Sequence, residues 1–225
     1  MNLKKFSCFV ILAAVLSSQI LQAAPMTWDF DKEKTGTLPS GWFTELTGEG
    51  SKGTWQVMSD PSAPSKPNVL AQTSADSTDY RFPLAIIEQT QFKDVDLSVR
   101  FKTISGKVDQ GAGIVWRYRD ASHYYLVRAN ALEDNVVLYK VENGKRSHLK
   151  PKGATGRGYG VNTKVPGNTW NKLSVQVSGN LFTVFLNDQK LFEVEDNTFS
   201  QAGKVGLWTK ADSVIHFDDF TVDGK

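Results

Sequence analysis

Five side chains in two stretches of the sequence could grip a polar ligand. Arg117, Arg128 and Asn130 fall within G-A-G-I-V-W-R-Y-R-D-A-S-H-Y-Y-L-V-R-A-N-A-L-E-D-N-V-V-L-Y-K-V-E, Gly111 to Glu142. Trp208 and Lys210 fall within V-G-L-W-T-K near the end. Guanidinium and amide groups beside aromatics suit a flat, oxygen-rich ligand, and an indole face suits a sugar ring. Each has a plainer reading. Arginine is mostly exposed in any fold, so on pattern alone a solvated outer face is favoured for the arginines. Burial in the core is the commoner fate of a large aromatic such as Trp208. Glu133, Asp134 and His123 are the nearest groups that could serve as a general base.

These side chains must be positioned by strands. The stretch consists of three runs rich in Val, Ile, Leu, Tyr and Trp, broken at Asp120-Ala121-Ser122 and Glu133-Asp134-Asn135. Each run is too short for a typical helix, and β-branched and aromatic residues suit a pleated, half-buried surface, which predicts an antiparallel meander. Alternation assigns Ile114, Trp116 and Tyr118 to one face and Val115, Arg117 and Arg119 to the other. It likewise sets Tyr125, Val127 and Ala129 against Tyr124, Leu126, Arg128 and Asn130. Arg117, Arg128 and Asn130 are therefore expected to stand together. Trp208 and Lys210 share a face opposite Val205 and Leu207 if their strand is regular.

Val95, Leu97, Val99 and Phe101 alternate with polar residues, and Asn143-Gly144 marks a hairpin. Lys34 to Gly53 reads as an ordered surface loop around Gly41-Trp42-Phe43, and Asn197 to Gln201 as one helical turn. Lys150 to Gly160 is glycine-rich, but no G-K-[ST] and no helix follow it, so a loop at the rim of the sheet is preferred to a phosphate loop. About a dozen strands at even spacing predict an all-β antiparallel sandwich of jelly-roll type.

The run GAGIVWRYRDASHYYLVRANALEDNVVLYKVENGKR, with AGKVGLWTKADSVIHFDDF, resembles the concanavalin A-like, laminin G-like β-sandwich domains of the bacterial 3-keto-disaccharide hydrolase family. The resemblance extends from about Trp28 to Val222. It implies a carbohydrate ligand and inclines Trp208 and Lys210 toward a site. It also implies chemistry in which a ring ketone acidifies the neighbouring carbon, so that cleavage proceeds by proton abstraction and elimination. A glycan-binding module without catalysis and a laminin G-like structural or adhesion domain are the alternatives, because this fold serves all three. The Glu-x-Asp-x-Glu strand of two-carboxylate glucanases is absent, which argues against that mechanism.

Asp29 and Asp31 near the start and Asp218 and Asp219 near the end suggest a structural calcium site at a seam of terminal strands, with Asp31 and Asp219 the preferred ligands. Solvated strand-end carboxylates are an equal reading. The three histidines have no zinc spacing.

Residues 1–24 read as a signal peptide, with Lys4-Lys5 before an apolar run and Ala23-Ala24 at the cleavage point. Residues 25–225 then form a single domain, periplasmic or secreted. The only cysteine, Cys8, leaves with the signal, which excludes a thiol nucleophile and a disulfide frame. Loss of Lys4 and Lys5 lowers the 26 basic residues by two, to match the 24 acidic ones. A neutral chain gives no support for a nucleic-acid partner, and no further stretch is apolar enough to span a membrane.

Overall fold

The computed structural model describes residues 24–225. The expected signal peptide lies outside the described residues except for Ala24. Among the described residues there are sixteen strands and no helix. They are β1 (Met26–Trp28), β2 (Trp42–Gly48), β3 (Trp55–Ser59), β4 (Asn68–Gln72), β5 (Arg81–Ile87), β6 (Val95–Ser105), β7 (Gly111–Asp120) and β8 (His123–Asn130). There follow β9 (Asn135–Glu142), β10 (Lys145–His148), β11 (Val161–Asn162), β12 (Asn171–Ser178), β13 (Leu181–Leu186), β14 (Gln189–Glu195), β15 (Lys204–Thr209) and β16 (Val214–Gly224).

The strands form two antiparallel sheets. One runs β14-β13-β12-β6-β16-β4-β3, with β1 on β16; the other runs β10-β9-β8-β7-β15-β5-β2, with β11 on β9. This is the predicted sandwich. Val95, Leu97, Val99 and Phe101 from the first sheet meet Ile114, Trp116, Tyr125, Val127, Val205 and Leu207 from the second in one buried core. Alternation produces this directly, because one face of each sheet is apolar.

Three local expectations are corrected. Trp42–Gly48 is a strand inside the segment read as a loop; its aromatic and β-branched residues pair with β5 as an edge strand. Asn197 to Gln201 forms no helical turn. Tyr118 is not on the face of Ile114 and Trp116, because the register slips between Trp116 and Asp120 and Arg117 sits at φ 48°. That bulge inserts an extra residue, which turns Tyr118 to the other side of the sheet.

The second sheet also buries its other face. Phe82, Leu84, Val115, Tyr118, Tyr124, Leu126, Tyr139 and Trp208 form a second apolar cluster there. The sheet curls until its edges meet over these side chains. Tyr80, just before β5, donates to the Gly144 carbonyl (3.1 Å) and accepts from the Arg146 N–H (3.1 Å) at the far edge. From β2, the Thr47 hydroxyl bonds the Ala121 carbonyl (2.5 Å) and the Tyr124 hydroxyl (2.9 Å). The concavity is thus lined with aromatics and closed at one end, and polar groups collect at the other. No helix among the described residues is long and apolar enough to cross a membrane.

Candidate functional site

The polar end of the concavity is built by β7, β8, β9, β10 and β15. Alternation along β8 sends Arg128 and Asn130 to the concave face, after Tyr124 and Leu126. On β7, Gly111 and Gly113 fall on the same face. A Cβ on Gly111 would stand 2.8 Å from Asp109 Oδ1 and 3.2 Å from Arg128 Cδ. A Cβ on Gly113 would stand 3.2 Å from the Trp208 ring. The two glycines thus leave the space that Arg128 and Trp208 occupy. The G-A-G at the head of β7 is the signal in the sequence that marks this floor, and it is legible only once the face is known.

Arg128 is 1% exposed. Its Nη2 donates to Glu133 Oε2 (2.8 Å) and Asn135 Oδ1 (2.7 Å), and its guanidinium lies 5.7 Å from the Tyr139 ring centre. Asn135 Nδ2 donates to the same Glu133 oxygen (2.9 Å). Asn130 donates to Asp109 Oδ1 (3.0 Å), and its own oxygen accepts from the Leu132 and Glu133 amides, which fixes the turn that carries Glu133. Lys210 Nζ is bonded to Asp79 Oδ1 (2.6 Å) and lies 3.1 Å from Asp109 Oδ2. That second contact is one of charge without hydrogen-bond geometry.

Burial and charge set opposite protonation tendencies here. Burial pushes the Asp109 carboxyl up against the pull of Arg128 and Lys210. Burial would raise Glu133 too, but Arg128, Asn135 and Lys210 outweigh it and hold that carboxyl below the usual range. Burial would lower Lys210, but its bond to Asp79 and the Asp109 charge hold it up. Glu133 is therefore an ionised carboxylate with 42% of its side chain exposed, set against a buried cation.

Of the predicted ligand-binding residues, Arg128, Asn130, Trp208 and Lys210 do share this face. Trp208 is fully buried, stacked on Phe82 with ring centres 5.4 Å apart, and is not open to a sugar ring. Arg117 is not with them. The bulge turns it away, and its guanidinium donates to the carbonyls of Lys93 (2.9 and 3.1 Å), Phe199 (2.7 Å) and Gly179 (2.5 Å). At 2% exposed it ties three loops to the end of the sandwich. Among the possible bases only Glu133 belongs to the site. Asp134 faces Lys164 and the Val165 amide, and His123 pairs with Asp120 and Asn143 at the opposite end of β8. Sequence reasoning missed Asp79 and Asp109, which bond Lys210 and Asn130 from loops, and Arg146 and Tyr159, which meet Tyr139 from an edge strand and a loop, segments with no periodic signal.

The seam proposed for calcium is built as a set of hydrogen bonds. Asp31 Oδ1 accepts from the Asn68 amide (3.0 Å), and Asp218 accepts from the Ser65 amide and hydroxyl (2.9 and 2.7 Å) and from the Asp219 amide (2.8 Å). Asp219 faces Arg100 at 3.7 Å. Among the described residues no three His, Cys, Asp or Glu side chains gather for a metal. These carboxylates are engaged by amide, hydroxyl and guanidinium donors, and a calcium ion here would need backbone oxygens as further ligands.

The fold is similar to that of several solved structures. Carbohydrate binding module CBM66 from Bacillus subtilis superposes with a TM-score of 0.62 at 23% identity, over 82% of this chain and 96% of that one. The cellulose induced protein Cip1 gives 0.62 at 14% identity, over 89% and 97%. Domain 4 of AbnA, an extracellular arabinanase from Geobacillus stearothermophilus, gives 0.52 at 12% identity, over 88% and 91%. These likenesses establish the fold. Comparison with curated proteins by sequence gave no match. One family profile, the 3-keto-alpha-glucoside-1,2-lyase-like domain, matches residues 31–223, a span that takes in the strand of Trp42, the Arg128–Glu133 turn and nearly all of the last strand. The chain belongs to the family of 3-keto-alpha-glucoside-1,2-lyase-like domains.

Proposed function

We propose that this chain is a carbohydrate-active domain that cleaves 3-keto-glycosides by elimination at the polar end of the concave face. One observation carries the reading: the half-exposed carboxylate of Glu133 is fixed on the buried cation Arg128 and feels the charge of Lys210, on a face otherwise lined with aromatics. A ketone at C3 makes the C2 proton acidic. Glu133 takes that proton through Oε1, since Oε2 is held by Arg128 and Asn135. The C2–H electrons form the enolate, whose charge Arg128 and Lys210 stabilise. Collapse of the enolate forms C1=C2 and breaks the C1–O bond, and the protonated Glu133 returns its proton to the departing oxygen. No oxidant or reductant is needed. The basic and apolar start of the chain supports export, so the reaction would take place in a periplasm or outside the cell.

A second reading, a sugar-binding module without turnover, is favoured by the charge on Glu133. Arg128 and Asn135 hold it acidic, which weakens it as a base. The deciding experiment offers the purified chain glucosides, disaccharides and their 3-keto counterparts. Release of free sugar from the keto forms alone supports the lyase. Saturable binding with no product leaves the binding module, and the absence of both product and binding withdraws both readings.

A further inference from the structure

The site holds a third cation that the elimination does not use. Arg146 reaches in from β10 and lies between aromatic rings, 4.5 Å from the Phe82 centre, 4.6 Å from Tyr139 and 5.6 Å from Trp208. No carboxylate pairs with it among the described residues. Asp79 is near enough to feel its charge but is bonded to Lys210. Arg146 Nη1 is buried and has no hydrogen-bond acceptor. The same is true of Arg128 Nε, on the other guanidinium that faces Tyr139.

That arrangement is incomplete as a resting structure. Aromatic faces offset part of the cost of desolvating a guanidinium, worth up to about 2 kcal/mol, but they present no lone pair to an N–H. A buried donor without an acceptor costs about 1–3 kcal/mol, more when charged. Both guanidinium groups approach the Tyr139 ring. An oxyanion that reached them there would supply the lone pairs the aromatic faces lack, and a planar carboxylate matches guanidinium geometry.

We infer that the sugar recognised here carries an oxyanion, held by the guanidinium groups of Arg146 and Arg128 beside Tyr139. This rests on the concave-face site proposed above and names its ligand class: an acidic glycoside, with a ring carboxylate or a phosphate as the anion. Arg146 then determines specificity, and Glu133 keeps the chemistry.

The test is calorimetric titration of the purified chain with methyl glucuronide, methyl glucoside and glucose 6-phosphate, using the wild type, Arg146→Gln and Arg146→Lys. The wild type should bind the anionic sugar roughly ten- to a hundredfold more tightly than the glucoside, the range for a charge-assisted pair. Arg146→Gln should bring that ratio close to one, and Arg146→Lys should keep part of it. The glucuronide and phosphate arms tell which anion is preferred, and preference for either supports the inference. Equal binding of neutral and anionic sugars, or a preference that survives Arg146→Gln, overturns it and leaves the sugar site standing. If no sugar binds to the wild type and none is turned over, the site itself falls and the inference with it. Should Arg146→Gln fail to fold, Arg146→Lys and the salt dependence of wild-type glucuronide binding decide: affinity must fall as salt rises, and a flat response overturns the inference.

Discussion

Replacing Glu133 with glutamine separates chemistry from architecture at the candidate site. The side-chain oxygen that accepts from Arg128 Nη2 at 2.8 Å and Asn135 Nδ2 at 2.9 Å has a counterpart in the amide carbonyl, so the turn it anchors should persist. What is lost is the charge. With 42% of the Glu133 side chain exposed, the pair with Arg128 is partly screened by water, and its loss should cost about 1 kcal/mol or less. As the group that removes the C2 proton, however, Glu133 should contribute roughly 10²- to 10⁴-fold to the rate. The expected result is a urea midpoint close to the wild type with turnover of a 3-keto-glucoside reduced by at least a hundredfold. The pH profile gives a second reading. Arg128 and Asn135 hold the carboxyl below the usual range, so wild-type activity should persist below the ordinary glutamate value of about 4.3 before its acid limb falls. Turnover by the glutamine variant within about threefold of the wild type, less than 1 kcal/mol in barrier, would refute the assignment of Glu133 as the base.

Other outcomes follow from the packing. Arg117→Met should destabilise by about 3–5 kcal/mol in a denaturant melt, because the Lys93, Phe199 and Gly179 carbonyls lose their donor, while activity per folded molecule is unchanged. Gly113→Ala should cost about 1–3 kcal/mol and shift the Trp208 emission, since the new methyl would stand 3.0 Å from the Val127 carbonyl and 3.2 Å from the indole; unaltered fluorescence and stability would contradict the glycine floor. Burial pushes the Asp218 carboxyl up to about 6, above its unfolded value near 3.9, so the folded state holds the proton more tightly. Its contribution is present below pH 3.9 and is lost as pH rises through 6, by up to about 3 kcal/mol, and the stability difference between wild type and Asp218→Asn should shrink accordingly; a pH-independent difference would sink this. Thermal midpoints in calcium and in chelator should coincide, and a midpoint that climbs with calcium concentration would restore a metal at the Asp31–Asp219 seam.

The sequence by itself determined the strands, their apolar faces and most of the meander. Ile114, Trp116, Tyr125, Val127, Val205 and Leu207 alternate with residues of the other face, and a period of two is local information. The same alternation paired Arg128 with Asn130 and Trp208 with Lys210, but it also grouped Arg117 with the first pair, and it did not say that the two pairs meet. What alternation does not contain is curvature. The sheet closes on itself through Tyr80 and Thr47, contacts between residues as far apart as 64 and 77 positions, and this turns Trp208 from an exposed platform into buried packing. Nor does it contain a bulge. A single left-handed residue at Arg117 redirects that guanidinium to backbone carbonyls and carries Tyr118 to the concave side. Asp79, Asp109 and Arg146 come from segments without periodicity, so only the tertiary structure could bring them to Arg128 and Lys210. Strand faces are set by neighbours in the chain, but sheet closure is set by long-range contacts, and it was closure that decided which charges meet and which donors remain unpaired.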